Sequence, residues 1–254
     1  MRFSNHVVLV SGGAHGIGRA TVERLAAEEA RVAVCDLDAA AADELVAALD
    51  PGRALAVRTD VRDRHSVDNA VAACVAHFGR LDTLVTVAGG AQPLPTVAGV
   101  SDDDWNAELD LNLTGTMRCV RAAIPHLTAS RTGSIVAVSS VNGLAAFGDE
   151  PYSSAKAGIS QLARNLAVQL GPQGVRVNVV APATIRTRVW DSQGGPDKLA
   201  PFYPLGRVGE PAEVAAAIAF LASGDASWIT GITLPVDGGV LAGPLQSMRL
   251  LLGD

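Results

Sequence analysis

Cysteine is scarce in this chain, and it lacks both long apolar runs and a secretory signal. Three cysteines, Cys35, Cys74 and Cys119, occur in 254 residues, and their wide spacing is typical of buried thiols in a reducing cytosol. No uninterrupted apolar run reaches the roughly 18 residues of a membrane-spanning helix. The opening stretch MRFSNHVVLVSGG has too short an apolar segment for a signal peptide. We therefore expect a soluble, cytoplasmic protein.

Charge and ligand spacing exclude further classes of function. The formal net charge is −6, so the chain carries no basic signal for nucleic acid or for an anionic lipid surface. Histidine, cysteine and carboxylate side chains do not occur at metal-ligand spacing, so no metal is expected. Apolar residues make up 48% of the chain, enough for a well-buried core. The expected partner is thus a small molecule, without nucleic acid or membrane.

Strand and helix signals alternate along the whole sequence. The predicted strands are His6–Val10, Arg31–Asp36, Ala54–Thr59, Leu81–Ala88, Ser134–Val138, Val175–Val180 and Ile232–Val236. The predicted helices are Arg19–Ala30, Ala39–Leu49, Ser66–Phe78 with Ser66 as N-cap, Leu111–Leu127, Tyr152–Leu170 and Pro211–Ser223. This alternation predicts an α/β fold, a doubly wound parallel sheet of about seven strands with helices on both faces. No break in composition divides residues 1–254, so one domain is expected.

Two stretches rich in glycine, proline and polar residues follow predicted strands. They are Ala91–Ser101 and Arg188–Pro204. In an open parallel sheet, loops after strands hang over the carboxyl edge, where ligands bind. We expect both stretches to be mobile, and the second to form a lid over the substrate.

A glycine loop joins the first predicted strand to the first helix, with the sequence SGGAHGIG from Ser11 to Gly18. Glycines at this position allow backbone N–H groups to approach a diphosphate at the helix N-terminus. Asp36 ends the next strand, 18 residues beyond Gly18, where a carboxylate hydrogen-bonds adenosine ribose hydroxyls and repels a 2′-phosphate. With no Arg or Lys beside it in sequence, we expect NAD rather than NADP. Asp36 could instead be a capping aspartate, and His15 either a phosphate contact or a solvated loop residue.

Tyr152 and Lys156 are four residues apart, so on a helix they share one face. A tyrosine titrates near ~10, and its pKa must fall by roughly three units, about 4 kcal/mol, to exchange protons at neutral pH. One cation at about 4 Å in an effective dielectric of ~20 supplies roughly that energy. Alone, the pair equally fits a half-buried tyrosine beside a solvated lysine.

With these motifs in order, the chain resembles the classical short-chain dehydrogenase/reductase family nearly from end to end. SGGAHGIG is similar to its TGxxxGxG, APATIRT (181–187) to its PGxIxT segment, and PLGRVGEPAEVA (204–215) and ASWITGITLPVDGG (226–239) to its C-terminal stretches. The resemblance implies a Rossmann-type fold, a commonly homotetrameric assembly and a catalytic tetrad of Asn112, Ser140, Tyr152 and Lys156. It also implies a set of cofactor-binding residues: Gly12, His15, Gly16, Ile17, Gly18, Asp36, Leu37, Asp60, Val61, Ala88, Gly89, Tyr152, Lys156, Pro182, Ile185 and Thr187.

The chain departs from the family pattern at three places. Thr86-Val87-Ala88-Gly89 replaces the usual NNAG, so the asparagine that braces the sheet is absent and local stability is expected to suffer, and Ala183 replaces the glycine after Pro182. The spacing to Tyr152 leaves two candidates for the catalytic serine: Ser139 has the commoner spacing, whereas Ser140 precedes the Val-x-Gly motif. We favour Ser140 and expect Ser139 to be a turn serine bonded to backbone.

The resemblance implies hydride transfer between nicotinamide and a secondary alcohol or ketone, with Tyr152 exchanging the proton. Lys156 would lower the tyrosine pKa and hold ribose hydroxyls, Ser140 would bind the reacting oxygen, and Asn112 would hold a relay water through its backbone. Substrate-pocket candidates are Asn142, Phe147 and Trp190, with Ala146, Glu150 and Phe202 nearby. The apolar tail Pro244–Asp254 is expected to pack on a neighbouring subunit. Alternatives are a non-catalytic dinucleotide sensor or scaffold, and an NAD-retaining dehydratase or epimerase.

Overall fold

One seven-stranded parallel sheet forms the centre of the molecule, seen in a computed structural model that describes residues 2–252. Its strand order is β3-β2-β1-β4-β5-β6-β7, and every neighbouring pair is parallel, which confirms the predicted fold class. The strands are β1 (Val7–Ser11), β2 (Arg31–Asp36), β3 (Ala54–Arg58), β4 (Thr83–Thr86), β5 (Ser134–Val138), β6 (Arg176–Pro182) and β7 (Thr233–Val236). The order reverses between β1 and β4, so the carboxyl ends of these strands open a crevice for a ligand.

Helices cover both faces of the sheet. They are α1 (Gly16–Ala27), α2 (Ala39–Ala47), α3 (Arg64–Phe78), α4 (Asp102–Leu109), α5 (Gly115–Ala129), α6 (Glu150–Leu170), α7 (Pro211–Ala222) and α8 (Leu245–Leu252). Side chains of β1 alternate between the two cores: Val8 and Val10 pack with α1, α2 and α7, whereas Val7 and Leu9 pack with α3, α5 and α6. Both faces of β1 are buried, which is why the strand reads as a continuous apolar run.

The start of α3 differs from the expected one. The helix begins at Arg64, and Asp63 is its N-cap, accepting a hydrogen bond from the His65 amide at 2.8 Å. Ser66, which we expected to cap it, lies inside the first turn, and its hydroxyl accepts instead from the Asp60 amide at 3.0 Å. An aspartate three residues earlier thus does the capping, and Ser66 fastens the end of the β3 loop.

The region between β4 and β5 also differs. The sequence pattern predicted one helix from Leu111 to Leu127, but α4 precedes it, capped by Ser101, whose hydroxyl accepts from the Asp104 amide at 3.1 Å. Between α4 and α5 the backbone widens into a π-helical turn, Asp110–Thr114. Such turns are rare and often occur at functional sites, because the extra residue redirects the neighbouring groups.

The expected lid contains regular structure. Two short 3₁₀ segments, Arg188–Gln193 and Asp197–Phe202, occupy it, and Arg186 pairs with Asp197 and Glu210 at its base. Helix α8 touches the lid through Gln246, whose amide donates to the Pro201 carbonyl at 3.1 Å. Leu245, Met248, Leu251 and Leu252 of the tail are more than half exposed; the side chain of Leu250 and residues 253–254 lie outside the described residues. Within residues 2–252, no helix combines the length and apolar character needed to cross a bilayer.

Candidate active site

The glycine loop between β1 and α1 has no room for side chains at its critical positions. Gly12 and Gly16 have φ of 70° and 50°, in the left-handed region that favours glycine. A Cβ on Gly12 would lie 2.6 Å from the Ala88 amide nitrogen, and one on Gly18 would collide with the Gly12 carbonyl. The first-turn amides of α1 have no intrahelical acceptor, as at every helix start. The loop therefore forms a cradle of backbone N–H groups that fits a dinucleotide diphosphate.

Asp36 stands at the carboxyl end of β2, and its carboxylate braces the loop. One oxygen accepts from the Ala14 amide at 2.9 Å and the other from the Asp38 amide at 3.0 Å. Asp36 has no Arg or Lys neighbour in sequence, but the sheet register places Arg58 of β3 directly opposite it, so a basic residue lies beside it in the fold. The two residues are distant in sequence, and only strand pairing brings them together.

His15 is not simply solvated. Its ring nitrogen Nε2 lies 2.9 Å from an Asp38 carboxylate oxygen, and Asp38 also caps α2 by accepting from the Ala41 amide at 3.2 Å. The His15 hydrogen bond is the main reason that the pKa of Asp38 is lowered. His15 thus links the glycine loop to the start of α2.

The other residues predicted to bind the cofactor surround this cradle. Leu37 is 50% exposed, and Val61 is buried where its side chain meets Gly115. The Asp60 carboxylate is engaged by Arg62 at 2.9 Å. On the opposite side, a Cβ on Gly16 would lie 3.1 Å from the Thr187 methyl, so Thr187 covers the loop. Residues Ala88, Gly89, Pro182 and Ile185 lie at the carboxyl ends of β4 and β6 or just after them.

Lys156 is almost completely buried, with 3% of its surface exposed, so the interpretation as a solvated lysine is excluded. Its Nζ donates to the Val138 carbonyl at 3.2 Å and lies 5.4 Å from the centre of the Tyr152 ring. Burial lowers the pKa of Lys156 to about 8, and the charge of Glu108 acts in the opposite direction. This ammonium has spare hydrogen-bond capacity, since lysine offers three donors.

Tyr152 differs from the sequence-based expectation in its ionisation. Burial raises its pKa above the ordinary tyrosine value; the hydrogen bond with Ser140 acts to lower it, and the charges of Asp149 and Glu108 act to raise it. The expected acidification by Lys156 is therefore wrong for the protein without cofactor. Burial is the largest cause of the shift, because desolvation penalises the phenolate directly.

The two neighbouring serines have different surroundings. The Ser139 hydroxyl donates to the backbone carbonyl of Lys156 at 2.7 Å and is buried. Ser140 interacts with Tyr152, and its hydroxyl lies 3.2 Å from the Asn142 side-chain oxygen. Ser140 is therefore the serine that the structure brings to the tyrosine, while Ser139 joins the end of β5 to α6.

Asn112 is fully buried in the π-helical turn and holds the exit of β4. Its side-chain oxygen accepts from the Gly90 amide at 3.1 Å, and its nitrogen donates to the Gly90 carbonyl at 2.9 Å. Its backbone carbonyl accepts from the Thr116 hydroxyl at 3.1 Å. A Cβ on Gly89 would lie 2.6 Å from the Asn112 oxygen and 3.1 Å from Lys156 Nζ, so glycine lets the two approach.

Thr86 and Val87 stand where the family pattern has two asparagines, and Thr86 does not restore a brace. Its side chain is buried, and within the described residues its hydroxyl has no hydrogen-bond partner. Ala183 follows β6 and donates its amide to the Val236 carbonyl at 3.1 Å. At this end of β4 the hydrogen bonds come instead from the Asn112 carboxamide.

Two carboxylates near the tyrosine were missed from the sequence, Glu108 and Asp149. Glu108 is 3% exposed, and the Asn112 amide donates to it at 3.0 Å. Asp149 has φ of 56° just before α6, and one of its oxygens is buried without a partner among the described residues. Burial raises the pKa of both groups. The i, i+4 spacing of Glu108 and Asn112 was the signal that could have shown the first.

The residues predicted to contact substrate lie in the loops that follow β5 and β6. Asn142 joins Ser140 to the following loop, with its nitrogen 3.4 Å from the Gly148 carbonyl. Phe147 is 49% exposed, and Trp190 belongs to the first 3₁₀ segment of the lid. In the described part of the chain, no group of three or more His, Cys, Asp or Glu residues could hold a metal ion.

Known proteins match this chain over almost its entire length. A family model described as enoyl-(acyl carrier protein) reductase matches residues 12–241. A meso-2,3-butanediol dehydrogenase of Serratia marcescens is 39% identical over 247 residues, 95% of this chain and 97% of the relative. A cis-4-hydroxycyclohexanecarboxylate dehydrogenase of Sinomonas cyclohexanicum is 41% identical over 244 residues, 94% and 98% of the two chains. The crystal structure of a short chain dehydrogenase/reductase family oxidoreductase from Burkholderia thailandensis matches with a TM-score of 0.89 and 39% identity, covering 98% of both chains.

Proposed function

Because the chain belongs to the short-chain dehydrogenase/reductase family, we propose that it interconverts a secondary alcohol and a ketone with NAD(H), using Tyr152 as general acid and base. The observation that carries this proposal is the grouping of Tyr152, Ser140 and Lys156 at the carboxyl edge of the sheet. The glycine cradle that fits a diphosphate opens at the same edge. When bound, the dinucleotide supplies or accepts the hydride, and the protein handles the proton.

Tyr152 gives its proton to the carbonyl oxygen during reduction and takes a proton from the hydroxyl during oxidation. Its position, half-buried and beside Ser140, supports this role. Ser140 donates to the same substrate oxygen and steadies the charge that develops there. Positive charge near the phenol lowers the cost of the phenolate, so occupation of the site should bring the tyrosine closer to neutral titration.

Lys156 holds ribose hydroxyls and connects the phenol to solvent through Asn112. Its ammonium makes one hydrogen bond, to the Val138 carbonyl, among those that the described residues provide. The remaining N–H groups are thus available to a ligand. The Asn112 carbonyl, although it accepts from Thr116, keeps a second lone pair that can hold the relay water.

NAD is the proposed cofactor, with NADP disfavoured. Asp36 and Asp38 place two carboxylates at the end of β2, where a 2′-phosphate would lie. Arg58 beside Asp36 acts in the other direction, since a guanidinium attracts phosphate. We expect kcat/KM with NAD to exceed that with NADP at least about tenfold, roughly 1.4 kcal/mol. Equal efficiencies with the two cofactors would contradict the assignment.

We also propose a homotetramer in the cytoplasm. The exposed apolar residues of α8, including Leu245 and Met248, support burial against another subunit. All three cysteines are buried and free, which supports a reducing compartment. Light scattering of the purified protein tests the assembly.

The decisive experiment is a panel of alcohols and ketones followed at the NADH absorbance band. Because two relatives are named for an aliphatic diol and a ring alcohol, the panel should include meso-2,3-butanediol and cis-4-hydroxycyclohexanecarboxylate. Oxidation or reduction of any member, abolished in Tyr152→Phe, supports the proposal. NAD that binds without turnover on the whole panel would indicate a sensor, and NAD that stays bound through purification without net redox change would indicate a dehydratase or epimerase.

A further inference from the structure

Glu108 is a buried carboxylate at the end of α4, next to the catalytic asparagine. Its two oxygens have separate tasks: one accepts from the Asn112 side chain at 3.0 Å, the other from the Gln92 amide at 3.2 Å. Asn112 in turn holds Gly90, so Glu108 fixes both the carboxamide and the loop that leaves β4. Glutamate is almost never this buried unless its carboxylate is paired with other groups.

The same carboxylate faces the buried lysine. A Cβ built on Gly89 would meet both the Asn112 side-chain oxygen, at 2.6 Å, and Lys156 Nζ, at 3.1 Å, so the carboxamide that Glu108 holds lies beside the ammonium. In the described residues, Lys156 has no carboxylate within ion-pair distance, and Glu108 is the acidic group whose charge acts on it. A buried cation without a direct partner depends on whatever negative charge its surroundings supply.

We propose that Glu108 is a positioning residue of this site, which orients Asn112 by hydrogen bonding and serves as the counter-charge of the Lys156 ammonium. The inference rests on the proposed function for its consequence in turnover, but its physical basis is testable without substrate or cofactor. The hydrophobic pattern of α4 would place Glu108 on the solvent-exposed face, so the sequence alone does not suggest this role.

The titratable groups around this pair are few. Tyr152 faces Lys156 from the same helix, and Glu108 faces it from α4. Asp149, at the start of α6, faces both Glu108 and Tyr152. Removing the Glu108 charge withdraws the carboxylate whose charge acts on Lys156, so protonated Lys156 loses stabilisation and must titrate at lower pH.

The test uses the low lysine content of the chain, whose two lysines are Lys156 and Lys198. Protein labelled at the lysine side chains gives two NMR signals, and Lys198→Arg identifies that of Lys156. In cofactor-free protein, we expect Glu108→Gln to move the Lys156 titration to lower pH by about one unit, the effect of a unit charge several ångströms away. Asp103→Asn is the matched control, because it removes an exposed charge from the same helix.

Kinetics adds a readout that a purely structural role would not move. Glutamine accepts at one oxygen instead of two, so it cannot satisfy both the Asn112 and Gln92 donors. For Glu108→Gln we expect kcat to fall about tenfold, as for one lost hydrogen bond to a charged group, and its decline with rising pH to begin earlier than in wild type. Asp103→Asn should leave both unchanged.

Either of two results would overturn the proposal: a Lys156 titration unchanged by Glu108→Gln, or one shifted equally by Asp103→Asn. Should Glu108→Gln fail to fold, Glu108→Asp keeps the charge and shortens the reach. It should lower kcat while the Lys156 titration stays near that of wild type, and a clear fall of that titration would also overturn the proposal. The NMR titration requires no turnover, so its result is independent of whether any alcohol or ketone in the panel is a substrate.

Discussion

Asp82 and Lys156 are buried ionic groups near opposite ends of the sheet strands, and their surroundings differ. At the amino edge, the Asp82 carboxylate is fully buried and accepts from Arg80 at 2.6 Å, Ser130 at 2.5 Å and the Val7 amide at 2.9 Å. Near the carboxyl edge, the Lys156 ammonium is 3% exposed and donates to one carbonyl. The pKa of Asp82 is lowered although burial alone would raise it, whereas burial lowers that of Lys156 to about 8.

The difference separates a structural charge from a functional one. Asp82 has its lone pairs occupied, so the ionised form is the stable one in the folded protein. Lys156 is held out of contact with water with part of its hydrogen-bond capacity free, which destabilises the apo protein but leaves donors for the proposed ribose hydroxyls. A buried charged group whose hydrogen-bond capacity is only partly filled thus indicates a binding site, whereas one whose capacity is filled indicates a structural role.

The largest expected effect comes from Tyr152→Phe. Loss of the hydroxyl removes the proton donor while the ring still packs, so turnover should fall about 10³-fold or more, with NADH affinity nearly unchanged. Steady-state kinetics and fluorescence titration of NADH measure the two. Activity within a few-fold of wild type would mean that another group moves the proton.

Asp82→Asn tests the structural edge. The asparagine side chain has one accepting oxygen where the carboxylate has two, and the Arg80 charge loses its counter-ion. The free energy of unfolding should therefore fall by about 3 kcal/mol. Urea denaturation measures the loss. kcat should stay within about twofold of wild type, since Asp82 lies at the far end of the sheet. A loss of kcat as large, in free energy, as the loss of stability would show that the two ends of the sheet are not independent.

Lys156→Met should have opposite effects on function and stability. Cofactor affinity and turnover should both fall, because the ammonium serves both, while the free energy of unfolding at pH 7 rises by about 2 kcal/mol. The pKa of Lys156 in the folded protein, about 8, lies below its unfolded value of 10.5, so the burial cost is present below pH 8. The stability of wild type relative to the variant should therefore recover between about pH 8 and 10.5. Unchanged cofactor affinity would remove the ribose role.

The smallest effect distinguishes the two serines. Ser139→Ala loses one buried hydrogen bond, to the Lys156 carbonyl, and should cost about 1 kcal/mol of stability with kcat little changed. Ser140→Ala should instead lower kcat about 100-fold with little change in stability. Thermal unfolding and kinetics of the two variants together decide between them, and the reverse pattern would make Ser139 the catalytic serine.

Most of the fold was accessible from the sequence because buried strands leave a strong signal. β2 and β5 have the predicted bounds, since both are apolar runs ended by turn residues. Helix α4 was missed for a physical reason: its buried residue is Glu108, so it presents no apolar stripe to detect.

For the site, the sequence allowed the residues to be identified but not their pKa values or their long-range partners. The glycine loop and the Tyr152–Lys156 spacing are local, and the sequence displays them directly. The raised pKa of Tyr152, the Arg58–Asp36 register and the pairing of His15 with Asp38 depend on burial and on strands brought together from a distance. Such quantities follow from tertiary structure and have no local signature.

The bond from Ser139 to the Lys156 carbonyl has a further consequence. Gly143 packs so closely on α6 that a Cβ there would lie 2.6 Å from the Lys156 carbonyl carbon, so the turn after β5 and the helix are fastened at two points. Ser140 and Tyr152 stand on this fastened unit, whereas Trp190 and Phe202 stand on the lid, at whose base Arg186 forms exposed ion pairs with Asp197 and Glu210. Substitutions at Trp190 or Phe202 are therefore expected to leave the relative positions of Ser140 and Tyr152 unchanged.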